Sequence, residues 1–219
     1  EATPPQARHA LYAPFFLFAP PSPPLSTPAT PSPCLPSPPS PPPQPGFVSY
    51  EFSFQRARLD TQAVDSIQLG AIALFDLRGS MLEIVSVENP GGDNPRDQGP
   101  SKLIEYQQVN AAVELGLVTA TALRTTSGSR WTDRLFPSTG NSSILVHLNG
   151  AAEVGAYMLL TATGPKRRDA IGWKFSAVLP NGDRQVLHEV HDEEPTTDRE
   201  ALYPTFYVVA PPPIQPPPM

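Results

Sequence analysis

The middle of the chain alternates between apolar and polar residues. The clearest alternation begins after Gly46, where apolar residues occupy every second position: Val48, Tyr50, Phe52 and Phe54. A period of two places these side chains on one face of a β-strand and their polar neighbours on the other. The segment that begins at Phe47 is therefore predicted to be a half-buried strand.

Similar patterns predict further strands along the chain. These strands cover residues 67–74, 81–87, 144–148, 154–163, 173–179, 186–190 and 205–209. In 67–74 the apolar phase changes at Gly70-Ala71, which is typical of a β-bulge. The Ala-, Val- and Leu-rich part of residues 101–126 fits either a short helix or a pair of strands, and the pattern does not decide between them.

Turn-forming residues separate the predicted strands. Residues 89–100 contain Gly, Pro, Asn and Asp without any periodicity, which predicts a long surface loop. The pair Asn181-Gly182 is typical of a type I′ hairpin turn. Short strands at spacings of about ten residues, without a helical period between them, favour an all-β antiparallel sandwich over a parallel α/β sheet.

Proline residues are concentrated at the two ends of the sequence. Of 31 prolines, 17 lie in residues 1–46 and six lie in residues 211–219. Proline fixes φ and lacks a backbone donor, so these segments are predicted to be extended polyproline II arms. We therefore expect a single folded domain at 47–210, which is long enough for one hydrophobic core, between an arm at 1–46 and a tail at 211–219.

Composition and motifs exclude several classes of function. The net charge of −6 belongs to the part after the first arm and argues against nucleic-acid binding. The apolar run Phe15–Phe18 is far shorter than a membrane span. No phosphate-binding loop or nucleophile elbow occurs, and the folded part has no cysteine to pair with a histidine. We expect neither enzymatic activity nor an organic cofactor.

Several segments of the folded part resemble the successive landmarks of galactose-binding-like, or discoidin-like, domains. They are Arg130-Trp131-Thr132-Asp133, Ser143–Leu148, Tyr157–Thr163, Arg168–Trp173 and Pro180-Asn181-Gly182-Asp183. The resemblance spans residues 47–209 and implies a jelly-roll sandwich. Two departures are His147, where the family has an aspartate, and Asn181-Gly182, which replaces the usual hairpin pair.

The resemblance also implies candidate carbohydrate-binding residues. Family members that bind sugars use loops at one end of the sandwich, with an aromatic face and polar side chains. The corresponding residues here are Arg130, Trp131, Asp133, His147, Arg168 and Asp169. An alternative is that Trp131 and Trp173 pack in the core and that the charged residues form salt bridges.

The proline-rich arm resembles extensin-like, hydroxyproline-rich glycoproteins of plant and green algal extracellular matrix. This resemblance implies hydroxylated, O-glycosylated prolines, and the candidates are Pro23, Pro24, Pro38, Pro39, Pro41, Pro42 and Pro43. An alternative is a plain proline-rich linker that binds an aromatic groove of a partner.

Three further sites follow from short motifs. Asn141-Ser142-Ser143 is an acceptor sequence for N-glycosylation at Asn141. The loop residues Asp93, Asn94 and Asp97 offer oxygen ligands to a structural calcium ion, although such residues are usually only solvated. Cys34, the single cysteine, is a candidate for an intermolecular disulfide or is an unpaired bystander.

These observations support two main hypotheses about function. The first is a structural extracellular glycoprotein of a cell wall or a flagellar surface fibre (mastigoneme), which assembles with copies of itself or with another matrix glycoprotein. The second is a lectin-like, carbohydrate-binding module on a proline-rich stalk. A third and weaker hypothesis is an adaptor whose proline-rich tail recruits an aromatic-grooved domain.

Overall fold

A computed structural model describes residues 46–58, 63–108, 115–124 and 130–208. The predicted polyproline segments at 1–45 and 211–219 lie outside the described residues. Cys34 and the seven candidate modified prolines lie outside them as well.

The described residues form ten strands and several short helical segments. The strands are β1 (Phe47–Ala57), β2 (Ile67–Leu69), β3 (Ala71–Asp76), β4 (Ile84–Glu88), β5 (Trp131–Asp133), β6 (Ser142–Ala152), β7 (Val154–Leu160), β8 (Ala170–Val178), β9 (Arg184–Val190) and β10 (Phe206–Tyr207). The α-helical turns are α1 (Ala120–Leu123) and α2 (Phe136–Thr139), and 3-10 segments cover Pro100–Gln108, Leu115–Leu117 and Lys166–Arg168.

The strands form three antiparallel sheets. The largest has five strands in the order β4-β6-β1-β8-β9, the second has the order β10-β7-β3, and β2 pairs with β5 in a third. The prediction of an all-β, antiparallel fold is therefore confirmed. Within the described part of the chain, no helix is both long enough and apolar enough to cross a membrane.

Aromatic side chains join the five-stranded sheet to the three-stranded sheet. Tyr50, Phe52 and Phe54 of β1 are fully buried, as the alternation predicts, but Val48, predicted on the same face, is exposed, at a shift in register between Phe47 and Ser49. The ring of Phe52 lies 5.2 Å from that of Tyr157 in β7, in an edge-to-face arrangement. The same Tyr157 ring lies 5.0 Å from Phe206. The apolar faces of the two sheets therefore pack against each other, with an aromatic cluster between them.

The three-stranded sheet is buried on its second face as well. Every residue of β7 is buried, so this strand has a continuous apolar run in place of alternation. The covering residues come from residues 101–126, for which the sequence pattern did not decide between helix and strands and which form short helical segments where they are described. The buried residues of this segment that pack on the second face are Tyr106 and Leu123, and the Tyr106 hydroxyl donates a hydrogen bond to the Ile72 carbonyl at 2.8 Å.

Gly70 divides the segment predicted as one bulged strand into two strands in different sheets. β2 pairs with β5, whereas β3 pairs with β7. The Gly70 N–H donates to the Leu160 carbonyl at 2.8 Å. A Cβ atom at this position would lie 2.7 Å from the Thr161 carbonyl oxygen. Only glycine allows the chain to cross between the sheets at this distance.

Two local predictions require correction. The strand predicted at 81–87 begins only at Ile84, because Met81 makes an isolated bridge to Phe75. The β8–β9 hairpin is present, but its turn is not type I′. Gly182 has a φ of 86°, whereas Asn181 lacks the positive φ that type I′ requires. Pro180, with its fixed negative φ, favours a type I turn followed by a left-handed glycine.

Two consecutive hydrogen bonds connect the core to the edge strand β9. The Trp173 indole N–H donates to the Tyr157 hydroxyl at 2.8 Å, and this hydroxyl lies 2.8 Å from Nδ1 of His188. A neutral His188 can accept the Tyr157 hydroxyl hydrogen at Nδ1, whereas a protonated ring could only donate to this hydroxyl. Burial lowers the pKa of His188 below its ordinary value. The folded chain therefore disfavours the protonated imidazole.

The Gly70→Ala substitution should lower the free energy of unfolding by about 1–3 kcal/mol, because the new methyl group would collide with backbone that cannot move aside. The matched control is Gly150→Ala in β6, where a Cβ atom would meet nothing within 4 Å. Chemical denaturation of both variants measures the difference. Equal stability of the two variants would contradict the close approach at Gly70.

Stability should also fall as the pH is lowered through the ordinary histidine range, near pH 6.5. The unfolded chain protonates His188 more readily than the folded chain does, so protons favour unfolding. The His188→Asn variant should show a weaker loss between about pH 7.5 and pH 5.5. The control His191→Asn, at a side chain that is 79% exposed, should keep the original slope. Thermal unfolding across this range measures both, and a stability that rises on acidification would refute the assignment.

Candidate functional site

An arginine-lined cavity of about 240 Å³ opens at the surface beside β2 and β5. Its lining residues are Asp65, Ser66, Pro95, Gln98, Arg130, Thr132, Arg134 and Arg168. Three arginines and one aspartate give the lining a net charge of plus two, in a chain whose net charge is −6. The cavity is therefore a local region of positive charge on an acidic protein.

The alternation along β5 separates the cavity from the core. Trp131 and Asp133 point inward and are 0% and 2% exposed. Arg130, Thr132 and Arg134 occupy the intervening positions and line the cavity. β5 and the two residues that flank it thus supply both a buried aromatic anchor and three lining side chains.

The carboxylate of Asp133 positions the loop that forms one wall of the cavity. Its Oδ1 accepts hydrogen bonds from the backbone N–H groups of Asp93 and Leu135, both at 3.0 Å. Its Oδ2 accepts a hydrogen bond from the Ser142 hydroxyl. Burial alone would raise the pKa of Asp133, but these three donors and the Asn89 side chain lower it overall. This buried carboxylate is therefore ionised and holds the loop, α2 and the start of β6 together.

Further hydrogen bonds fix the loop against β5. The Asn94 amide donates to the Thr132 carbonyl at 2.8 Å, and the Arg134 N–H donates to the Asp93 carbonyl at 2.9 Å. The Thr132 N–H donates to the Gln98 carbonyl at 3.1 Å. The predicted surface loop is thus present and is anchored along most of its length.

One side of the cavity is closed by an ion pair. Arg168 donates from Nε to Oδ1 of Asp65 at 2.6 Å and from a terminal nitrogen to Oδ2 at 2.7 Å. Arg167 adds a contact to Oδ2 at 3.2 Å. The hydrogen bonds from Arg168 hold the pKa of Asp65 well below its usual range. The charge of Arg168 is therefore neutralised within the protein.

The other two arginines have no carboxylate partner among the described residues. Arg130 contacts only neutral acceptors, the Gln98 side-chain oxygen at 3.3 Å and the Thr163 hydroxyl at 2.8 Å. The exposed Arg134 guanidinium has no described hydrogen-bond or ion-pair partner. The buried hydroxyl of Thr132 also lacks a described partner. The cavity therefore offers unused donors to an incoming group.

The predicted carbohydrate-binding residues do not form one cluster. Arg130 and Arg168 meet in the cavity. Trp131, Asp133 and Asp169 lie in the interior, consistent with the alternative that Trp131 and Trp173 pack in the core. His147 lies on the outer face of the five-stranded sheet, where Nδ1 is 2.8 Å from the Ser49 hydroxyl and Nε2 is 3.7 Å from a Glu88 oxygen.

Asp169 belongs to a buried ion-pair network. Its carboxylate is fully buried and accepts a hydrogen bond from Arg199 at 2.7 Å to Oδ2 and another at 2.5 Å to Oδ1. Arg58 lies 3.9 Å from Oδ2. The carboxylate oxygens of Asp169 have their hydrogen-bond partners inside the protein. The role of Asp169 is therefore structural: it joins the segment around Arg199 to the start of β8.

The candidate calcium ligands do not converge on one point. The Asn94 amide faces β5, and the Asp97 side chain is 86% exposed and lies 3.8 Å from Arg96. The N–H of Asp93 is bonded to Asp133. The described residues contain no group of three or more His, Cys, Asp or Glu that could hold a metal ion. Calcium binding by this loop stays a prediction.

Asn141 lies at the surface in the turn between α2 and β6. Gly140 before it has a φ of 66° and ends α2 in the left-handed conformation. The Asn141 side-chain oxygen accepts a hydrogen bond from the Ser53 hydroxyl at 2.7 Å. The side chain is exposed and its amide nitrogen has no hydrogen-bond partner among the described residues. Glycosylation at Asn141 stays a prediction.

Six of the eight lining residues were not predicted as site residues from the sequence, among them Asp65, Thr132 and Arg134. The alternation Arg130-Trp131-Thr132-Asp133-Arg134 contains the signal for Thr132 and Arg134, because a buried Trp131 implies that its neighbours face the other way. Asp65 lies 103 residues from Arg168. No local pattern could have paired these two residues.

The chain matches no protein-family model, and comparison with curated proteins and with solved structures gave no match. The evidence on function therefore comes from the chain itself.

The Asp169→Asn substitution should lower the free energy of unfolding by roughly 3 kcal/mol, the lower end of the range for breaking a buried ion pair. The lower end applies because 26% of the Arg199 side chain remains exposed. The matched control is Asp192→Asn, which breaks an exposed pair with Arg56 and should cost under about 1 kcal/mol. Urea denaturation distinguishes the two, and a change of equal size in both would show that the Asp169 network is not a structural anchor.

Proposed function

We propose that this protein is a structural, extracellular glycoprotein subunit of a cell wall or flagellar surface fibre. In this proposal its β-domain docks with copies of itself or with another matrix glycoprotein, and its proline-rich segments act as stiff tethers. The observation that supports it best is the way in which the proline-rich segments join the strands of the domain.

The first proline-rich segment leads directly into the central strand of the largest sheet. β1 begins at Phe47, has 11 residues, and pairs with β6 on one side and β8 on the other. A force applied through the proline-rich segment would therefore be shared by two antiparallel hydrogen-bond ladders. This attachment suits a subunit that has to carry tension.

The second proline-rich segment follows a strand of the other sheet. β10 is an edge strand that pairs with β7, and the proline run begins at residue 211. The two ends of the domain thus lead from different sheets, and the aromatic contacts between those sheets would transmit load from one segment to the other. In the same proposal, the sheets of five and three strands form a jelly-roll sandwich of the discoidin-like type.

A second candidate function is carbohydrate binding. It is favoured by the arginine-lined cavity, where Arg130 and Arg168, two of the six residues expected to contact a sugar, lie together with the unpartnered groups of Thr132 and Arg134. A carbohydrate-binding module would be monodisperse in solution and would show affinity for a free sugar, whereas a fibre subunit would associate.

The chain, secreted from an algal host that hydroxylates proline, should associate as its concentration rises in sedimentation velocity experiments. Replacement of the seven candidate modified prolines by alanine should reduce this association without changing the circular dichroism of the β-domain, because only the tethers are altered. Mass spectrometry should find hydroxyproline and pentose on the wild-type segment. A chain that stays monomeric at every concentration and carries bare prolines would refute the proposal.

A further inference from the structure

The geometry points to a specific ligand for the arginine-lined cavity: one saccharide residue that carries an acidic substituent, a carboxylate or a sulfate ester. This inference rests on the second candidate function, carbohydrate binding, and specifies its ligand.

The charges in the cavity favour an anion. The Arg168 guanidinium is paired with Asp65, but those of Arg130 and Arg134 have no carboxylate partner among the described residues. A guanidinium binds a carboxylate or sulfate group through two parallel N–H donors, a stronger contact than a hydrogen bond to a neutral oxygen. The chain as a whole is acidic, so the positive charge of this cavity would attract a negatively charged ligand that the overall charge repels.

The neutral groups in the cavity favour a hydroxylated ligand over a bare anion. The Thr132 side chain is almost fully buried, with a residue exposure of 2%, and its hydroxyl has no partner within the described protein. A buried hydroxyl without a partner is unfavourable, and a ligand hydroxyl would satisfy it. Gln98 and Asp65 add side-chain oxygens at the cavity wall, and the Asp65 carboxylate would repel an anion but accept a bond from a sugar hydroxyl.

The size of the cavity limits the ligand to a single ring. Its volume of about 240 Å³ lies below the roughly 300–1,000 Å³ of pockets that enclose drug-sized molecules. A single acidic sugar residue, either free or at the end of a chain, matches this volume. Its acidic group would lie against Arg130 and Arg134, and its hydroxyls would face Thr132, Gln98 and Asp65.

Isothermal titration of the full chain with galacturonic acid, sulfated galactose, neutral galactose and inorganic sulfate tests the inference. We expect heat with the two acidic sugars, weaker at high salt, and at least tenfold weaker binding of neutral galactose and of inorganic sulfate. Equal binding of neutral galactose would overturn the acidic specificity but keep the carbohydrate function. Equal binding of inorganic sulfate would show that the cavity is only an anion site. No heat with any sugar would refute both the acidic specificity and the carbohydrate-binding function.

A substitution in the cavity and a matched control test whether the acidic sugars bind there. Arg134→Gln should weaken binding of the acidic sugars by roughly ten- to a hundredfold, because it removes a charged donor. The control is Arg78→Gln, an exposed arginine outside the cavity, which should leave binding unchanged. Unchanged affinity in Arg134→Gln would overturn the inference.

Thr132→Val separates ligand binding from a structural role. Removing a hydroxyl that has no protein partner should leave the melting temperature unchanged or raise it, while weakening binding of the acidic sugar. If this variant loses stability and binds normally, the hydroxyl serves the fold and the assignment of Thr132 to the ligand is wrong.

Discussion

The hydrogen bonds to the buried carboxylate of Asp133 join the three segments that form the loop wall of the candidate site. This one side chain accepts bonds from the wall loop, from the start of α2 and from the start of β6. Its charge is compensated by donors alone, with no cation in contact among the described residues, which is an arrangement that favours the ionised form of a carboxylate even when it is buried. The loop that carries Pro95 and Gln98 contains no strand, so its position depends on this interaction together with the hydrogen bonds that it makes to β5.

The core supplies the rigid frame on which this interaction is built. The β3–β7 pair is covered by the five-stranded sheet on one face and by the helical segment around Tyr106 on the other. Because both faces of this pair are closely packed, the pair forms a stable support for the neighbouring strands. The proposed tether function and the proposed ligand site use different parts of this frame. The tethers join the ends of strands, and the ligand site lies on the side of β5 that faces away from the core.

Features that depend on local alternation could be predicted from the sequence, and features that depend on distant partners could not. β1 was evident because one face is buried and the other is polar. β5 was missed because three residues are too few to show a period, although its flanking arginines carry the same alternation. The secondary structure of the segment that covers β7 could not be predicted, because the residues around Tyr106 form 3-10 turns that have neither the helical nor the strand period. The pairing of Asp65 with Arg168 required the fold itself.

Amide hydrogen exchange in an Asp133→Ala variant tests most directly whether this carboxylate holds the site. The N–H groups of Asp93 and Leu135 should lose at least about tenfold of their protection relative to wild type, because each loses a hydrogen bond to a charged acceptor. The amides of β7 should keep their slow exchange, which would show that the core remains folded. Unchanged protection at Asp93 and Leu135 would contradict the claim that Asp133 positions the cavity wall.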